Sequence, residues 1–269
     1  MKKLSFIFLI SALIWGCTSP ADPYNYREEI VVKAILYAGE GIDSIKITRT
    51  VPLDQAYDYE TAAVKNASVK IQSETGEFTT LTYLPEKSGC YGDSAFIIKP
   101  NTNYFLTIDI PGFEQITGQT TTPGDFTLLS QNKNSFSYTA DAFGNDSLVV
   151  SWNEVANNNY YLVSTTYIGP DSSAIETSKE EDTETGTKEE LKTRAAFTTR
   201  TSFRMIGFLH KYFGSYRVTV TAMDKNLFDY IRTQNQNDRR LNEPIFSVKK
   251  GIGYFASGSR KKAFYEVLK

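Results

Sequence analysis

The clearest chemistry in this chain belongs to a thiol. Lys2 and Lys3 precede an apolar run from Leu4 to Trp15 that only Ser11 interrupts, and Gly16-Cys17 closes it. A charged start, a short apolar stretch and a small residue at the cut make a secretory signal. A cysteine in the first position after the cut makes it a lipoprotein signal: cleavage before Cys17 leaves a thiol that accepts a diacylglycerol. The run is too short to span a bilayer, which takes roughly 20 apolar residues. Residues 1–16 therefore read as a removed leader and residues 17–29, with Pro20 and Pro23, as a tether. The body that follows is expected outside the cytoplasm, held to a membrane by the lipid on Cys17.

The remaining reactive side chains do not combine. His210 is the only histidine, without a second histidine for zinc or a serine–acid pair for a triad. It reads as a strand-end or loop residue. With Cys17 acylated, Cys90 has no partner in the chain, which excludes a disulfide framework and a cysteine-rich metal site. Cys90 reads as a small, partly buried apolar residue beside Gly89, the alternative being a reactive thiol. Residues 176–192 carry seven acids and three lysines. Glu180, Asp182 and Glu184 alternate before Gly186, yet no other residue fits a calcium loop. The stretch reads as a solvated loop, with a cation or docking loop as the sharper alternative. Gly251 and Gly253 are too closely spaced for a phosphate loop and lack a following helix. No cofactor, no metal and no catalytic residue are expected, so the chain reads as a non-enzyme. Tyr57 and Tyr59, among Asp54, Asp58 and Glu60, stand outside any strand pattern. Tyrosine suits interfaces because it joins an apolar ring to a polar tip, so this pair is the candidate docking site for a partner. The plainer alternative is that both rings lie on their own domain.

Short alternating runs must position these residues. The chain has 29 basic and 31 acidic residues, and 13% of it is aromatic, with 17 Tyr and 17 Phe. The mild negative charge argues against a nucleic-acid partner, and the aromatic content favours strands. Ile30–Tyr37, residues 42–50, 67–71, 78–84, 96–98, 104–110 and 116–122 read as strands. Gly39-Glu40-Gly41, residues 74–77, residues 88–92 and Pro111-Gly112 read as turns between them. Pro123-Gly124 closes this series and marks a domain boundary. Beyond it, residues 136–140, 148–152, 160–163 and 216–222 form a second series, with Trp152 expected in its core. Residues 169–194 read as an acidic insertion within it. Residues 224–235 are the one helical segment, with Asp224 as cap and Leu227, Phe228 and Ile231 on one face. The expected fold is all-β: two β-sandwiches in tandem, residues 30–122 and 123–269, with one short helix.

Several phrases resemble known modules. Ala67-x-Val69-x-Ile71, the corner at Gly89-Cys90-Tyr91 and Tyr104-x-Leu106-x-Ile108 resemble transthyretin-like and carboxypeptidase-regulatory-like sandwiches. Leu148-x-Val150-Ser151-Trp152, Tyr160-Tyr161-x-Val163 and Tyr216-x-Val218-x-Val220-x-Ala222 resemble fibronectin type III domains. The C-terminal Gly251-Ile252-Gly253-Tyr254-Phe255, taken with the Gly16-Cys17 signal, Ile30-Val31-Val32 and the Thr120-Thr121-Thr122-Pro123 junction, resembles the lipoprotein family called domain of unknown function 4249. That resemblance implies an outer-membrane lipoprotein of Bacteroidota, acylated with palmitate or a similar chain, beside a TonB-dependent receptor that imports a nutrient. It supplies no catalytic residues. The implied function is a non-catalytic accessory that binds a ligand or the importer; a cell-surface adhesion or fimbria-like subunit is the alternative.

Overall fold

The computed structural model describes residues 26–52, 54–138, 147–156, 158, 160–170, 193–206, 210–234 and 244–269. The signal, Cys17, most of the tether and nearly all of the acidic insertion lie outside them. In chain order the elements are β1 (Ile30–Tyr37), β2 (Ile42–Arg49), the single-turn helix α1 (Tyr59–Ala62), β3 (Ser68–Ser73), β4 (Phe78–Thr80), β5 (Thr82–Leu84), β6 (Cys90–Asp93), β7 (Asn103–Asp109) and β8 (Ile116–Thr121). There follow β9 (Leu128–Gln131), β10 (Ser135–Ser137), β11 (Ser147–Trp152), β12 (Tyr161–Tyr167), β13 (Thr193–Thr198), β14 (Ser202–Ile206), β15 (Gly214–Met223), helix α2 (Lys225–Gln234), β16 (Val248–Lys249) and β17 (Ile252–Leu268). The fold is all-β, as the alternating runs predict.

Burial alternates with period two along these strands, because successive side chains of a strand point to opposite faces. In β1, Ile30, Val32, Ala34 and Leu36 are buried; in β7, Tyr104, Leu106 and Ile108 are. The inward rows of β1, β2, β6 and β5 face those of β16, β8, β7, β3 and β4 across the first core. In the second unit the three-stranded sheet β14-β11-β9 faces β13-β12-β15-β17, and Trp152 lies in the core between them at 1% exposure. β10 joins the same sheet by pairing with the end of β17, and the two facing sheets make the sandwich that the fibronectin-like phrases imply.

Three local expectations change. The run at 78–84 is two strands, since Leu81 turns into the core and the chain passes from one sheet to the other. The stretch at 90–93 is a strand and not part of a turn: Tyr91 packs inward while Cys90 pairs with Lys46. Residues 96–98 form no strand. There Ile98 exchanges hydrogen bonds with the β1–β2 turn, its N–H donating to the Glu40 carbonyl and its own carbonyl accepting from Gly39.

The largest difference concerns where the first core ends. Residues 252–258 of β17 pair parallel with β1, and residues 258–267 pair antiparallel with β15. One strand therefore belongs to both sandwiches, and a division of the chain at residue 122 does not separate the cores. Val248 and Phe255, far beyond that point, are buried in the first core. Gly253 makes the shared strand possible. It has φ of +108°, and a Cβ there would lie 2.0 Å from the Val32 carbonyl oxygen; only glycine tolerates both.

Candidate functional site

Where β15 ends, β17 loses its neighbour on one side, and an open strand edge is left at residues 253–257. Helix α2 and residue 247 cover it. Asp224 caps the helix, its Oδ1 accepting from the Leu227 N–H at 2.9 Å. The Asp224 N–H donates to the Ser257 carbonyl. The Asn226 side-chain amide donates to the carbonyls of Gln119 and Phe255. Ser247 Oγ both donates to the Phe255 carbonyl and accepts from its N–H. An uncovered edge is a template for unwanted pairing, and this one is filled by short polar side chains.

The helix start also floors a cleft of about 740 Å³ at the meeting of the two sandwiches. Its first wall is Asn101 and residues 119–124; its second is Asn158 and Tyr160. Tyr160 stacks on Phe228 of the helix with ring centres 3.7 Å apart. A second groove of about 440 Å³ shares Gln119, Lys225, Asn226 and Asp229 with the first, and continues past Phe105, Ile245 and Phe246. All three of those apolar side chains are exposed.

A chain of hydrogen bonds runs beneath the cleft. Thr120 Oγ1 lies 2.6 Å from Asp224 Oδ2 and 2.8 Å from Ser257 Oγ, and Ser257 Oγ lies 3.0 Å from the Thr121 carbonyl. Each hydroxyl has one proton. Thr120 therefore donates to one neighbour at a time, Asp224 Oδ2 or Ser257 Oγ, while Ser257 donates to the Thr121 carbonyl. Burial pushes the Asp224 carboxyl up from its ordinary value, against the lowering effect of its Thr120 hydrogen bond. The junction is braced further by Arg260 of β17. It grips Glu40 of the β1–β2 turn with two guanidinium nitrogens and sits 3.8 Å from the Tyr37 ring centre. The Arg260 hydrogen bond holds the Glu40 carboxyl below its usual range. Lys261 pairs with Asp125 at 2.7 Å.

The side chains singled out from sequence lie elsewhere. Cys17 is outside the described residues. Tyr57 and Tyr59 are 47% and 54% exposed, meet edge to face at 5.0 Å, and Lys46 Nζ sits 4.0 Å over the Tyr59 ring. They share no lining residue with the cleft. Cys90 is a buried free thiol whose pKa burial pushes up. His210 lies in the loop between β14 and β15, as expected, but it is buried, at 6% exposure. Its Nδ1 lies 3.2 Å from the Ile206 carbonyl and its Nε2 lies 2.7 Å from the Tyr265 hydroxyl. A carbonyl only accepts, so Nδ1 holds the proton and Nε2 accepts from Tyr265. Asp224 was legible as a helix cap, but Asn101, Thr120 and Asn158 carry no signal in sequence beyond turn or strand-end chemistry. Among the described residues no group of three or more His, Cys, Asp or Glu is placed to hold a metal ion.

Residues 19–263 match the family described as "Domain of unknown function (DUF4249)". The chain belongs to the DUF4249 family. No curated protein matches it in sequence. Among solved structures, this DUF4249 protein is similar to a segment of two fibronectin type III domains from chicken tenascin, at 10% identity and a TM-score of 0.23 over 88% of this chain and 97% of that one. A cytokine receptor complex is similar at 11% identity and a TM-score of 0.25, over 87% and 95%. Overlaps this loose leave the fold assignment to the strand order itself. An all-β sandwich pair of this kind is not typically catalytic.

Proposed function

We propose that this DUF4249 protein is a non-catalytic lipoprotein of the outer membrane, anchored through a fatty-acylated Cys17, that serves a TonB-dependent nutrient importer by binding its ligand or the importer itself. What supports the reading is a leader that reads as a lipoprotein signal at Gly16-Cys17, together with a body that carries a polar cleft where two sandwiches meet. A body braced by a shared strand can present such a cleft without rearranging, which lowers the ordering cost of binding. Tyr57 and Tyr59, both exposed and away from the cleft, suit contact with the importer, leaving the cleft free for cargo.

The test has two parts. Cys17→Ala should abolish labelling by a fatty-acid probe and release the protein from membranes; unchanged labelling would remove Cys17 as the anchor. Capture of a TonB-dependent receptor from detergent-solubilised outer membranes should then weaken in the Tyr57→Ala/Tyr59→Ala double variant at an unchanged melting temperature. Recovery of the protein in surface filaments, with no receptor captured, would favour a fimbria-like subunit instead.

A further inference from the structure

We propose that the double groove around the first turn of α2 binds a neutral oligosaccharide. This deepens the reading above, since it names the class of cargo. The groove is lined by amides and hydroxyls more than by net charge. Its two lining cations, Lys225 and Lys249, are matched by two acids: Asp229, which pairs with Lys225, and Asp224, which holds the helix cap and the Thr120 hydroxyl. Nothing in that balance attracts an anion such as a phosphate or a carboxylate. The polar wall also rules against an acyl chain, which needs a mostly apolar pocket.

Hydrogen-bonding capacity is left over where a ligand would lie. The Asn101 side-chain amide has no partner among the described residues. It projects from a left-handed backbone, φ 51°, and Gly124 makes room for it: a Cβ there would lie 3.1 Å from Asn101 Oδ1. Asn158, only 9% exposed, spends its amide nitrogen on the Tyr160 carbonyl and keeps its own carbonyl oxygen. An amide that both donates and accepts matches adjacent hydroxyl groups of a sugar. At the other end, the exposed rings of Phe105 and Phe246 offer flat apolar faces to the C–H faces of a pyranose. Polar contacts at one end and rings at the other, over connected volumes of about 740 and 440 Å³, suit several linked sugar units.

A peptide fits less well. Sandwiches commonly take peptides by adding a strand at an open edge. Here the β17 edge is occupied by Asn226, Ser247 and Asp224, and β8 is flanked by β7 and β16. A peptide would meet side chains only.

The test is titration calorimetry of the mature chain with neutral glucan, galactan and mannan oligosaccharides of three to six units, beside uronic-acid oligomers and an unstructured peptide mixture. At least one neutral oligosaccharide should bind with a Kd below about 1 mM. Phe246→Ala should weaken it at least about tenfold. Asn101→Gly, which keeps the left-handed backbone while removing the amide, should weaken it at least about fivefold. Both variants should melt like the parent. No neutral oligosaccharide bound, binding untouched by both changes, or preferential binding of uronic acids or peptides would each overturn the proposal. Receptor capture is measured on the same preparations without sugar, so failure here with capture intact sinks the saccharide assignment and leaves the importer reading standing.

Discussion

The first sandwich packs chiefly aliphatic side chains, with Tyr91, Tyr104 and Phe255 as its buried rings, whereas the second is built around Phe126, Phe136, Trp152, Tyr161, Tyr167, Tyr216 and Tyr265. Both use tyrosine in one way. The Tyr104 hydroxyl, at the start of β7, accepts from the N–H of Lys99, and the Tyr216 hydroxyl, at the start of β15, bonds both backbone groups of Tyr212. Each ties a strand to the backbone a few residues upstream, the device known as a tyrosine corner. The two units differ in what closes them. The second finds its strands within residues 128–268, but the first waits for β16 and β17 from the far end of the chain. Aliphatic side chains need no specific partner, so the first core can be finished by a distant strand. The second core must satisfy many buried hydroxyls, and does so largely from nearby backbone: Tyr161 accepts from Val155 and Tyr167 donates to Pro170.

The largest effect should come from separating the units. Residues 26–123 expressed alone lack Val248 and Phe255, and β1 becomes an exposed edge; the fragment should show no cooperative melt. A sharp transition would mean that the first core closes without β17. Next, Gly253→Ala should cost about 3 kcal/mol, because its backbone conformation and the Val32 carbonyl both oppose a side chain. Denaturant melts that show less than about 1 kcal/mol would mean that the β1–β17 pairing can shift. In the second core, Trp152→Ala should cost about 3–5 kcal/mol, as large aromatic truncations do. If the shared strand couples the sandwiches, the transition should stay single; a split into two would show that β17 transmits little.

The smallest effect concerns the cleft floor. A carboxyl raised by folding lends stability below its ordinary pKa and loses it as pH rises through the raised value. Asp224→Asn removes that penalty and can still cap the helix. Relative to the parent, its melting temperature should therefore improve from about pH 4 towards pH 8. Glu40 works in the opposite sense: its lowered carboxyl contributes above the ordinary value and fails as pH falls through the lowered one. Glu40→Gln should flatten the acid side of the stability curve. A pH-independent gap for Asp224→Asn would show that the carboxyl is ionised throughout.

By itself, the sequence determined what neighbours along the chain can decide. The spacing of Lys2, Lys3 and Cys17 carries the expectation of an export and acylation signal. Period-two burial selects strands. Pro123-Gly124 stops β8 from continuing, and Asp224 starts a helix. These rest on interactions within a few residues. It did not determine that Phe255 completes a core begun at Ile30, that His210 is enclosed by Phe136, Tyr216 and Tyr265, or that Asn101 and Asn158 face one cleft. The alternation in β17 has the same pattern whichever strand lies beside it. Its partner was decided only when the folded sheets brought Val32 against Gly253 and Ala222 against Ser259, because strand pairing satisfies backbone groups that every residue presents alike.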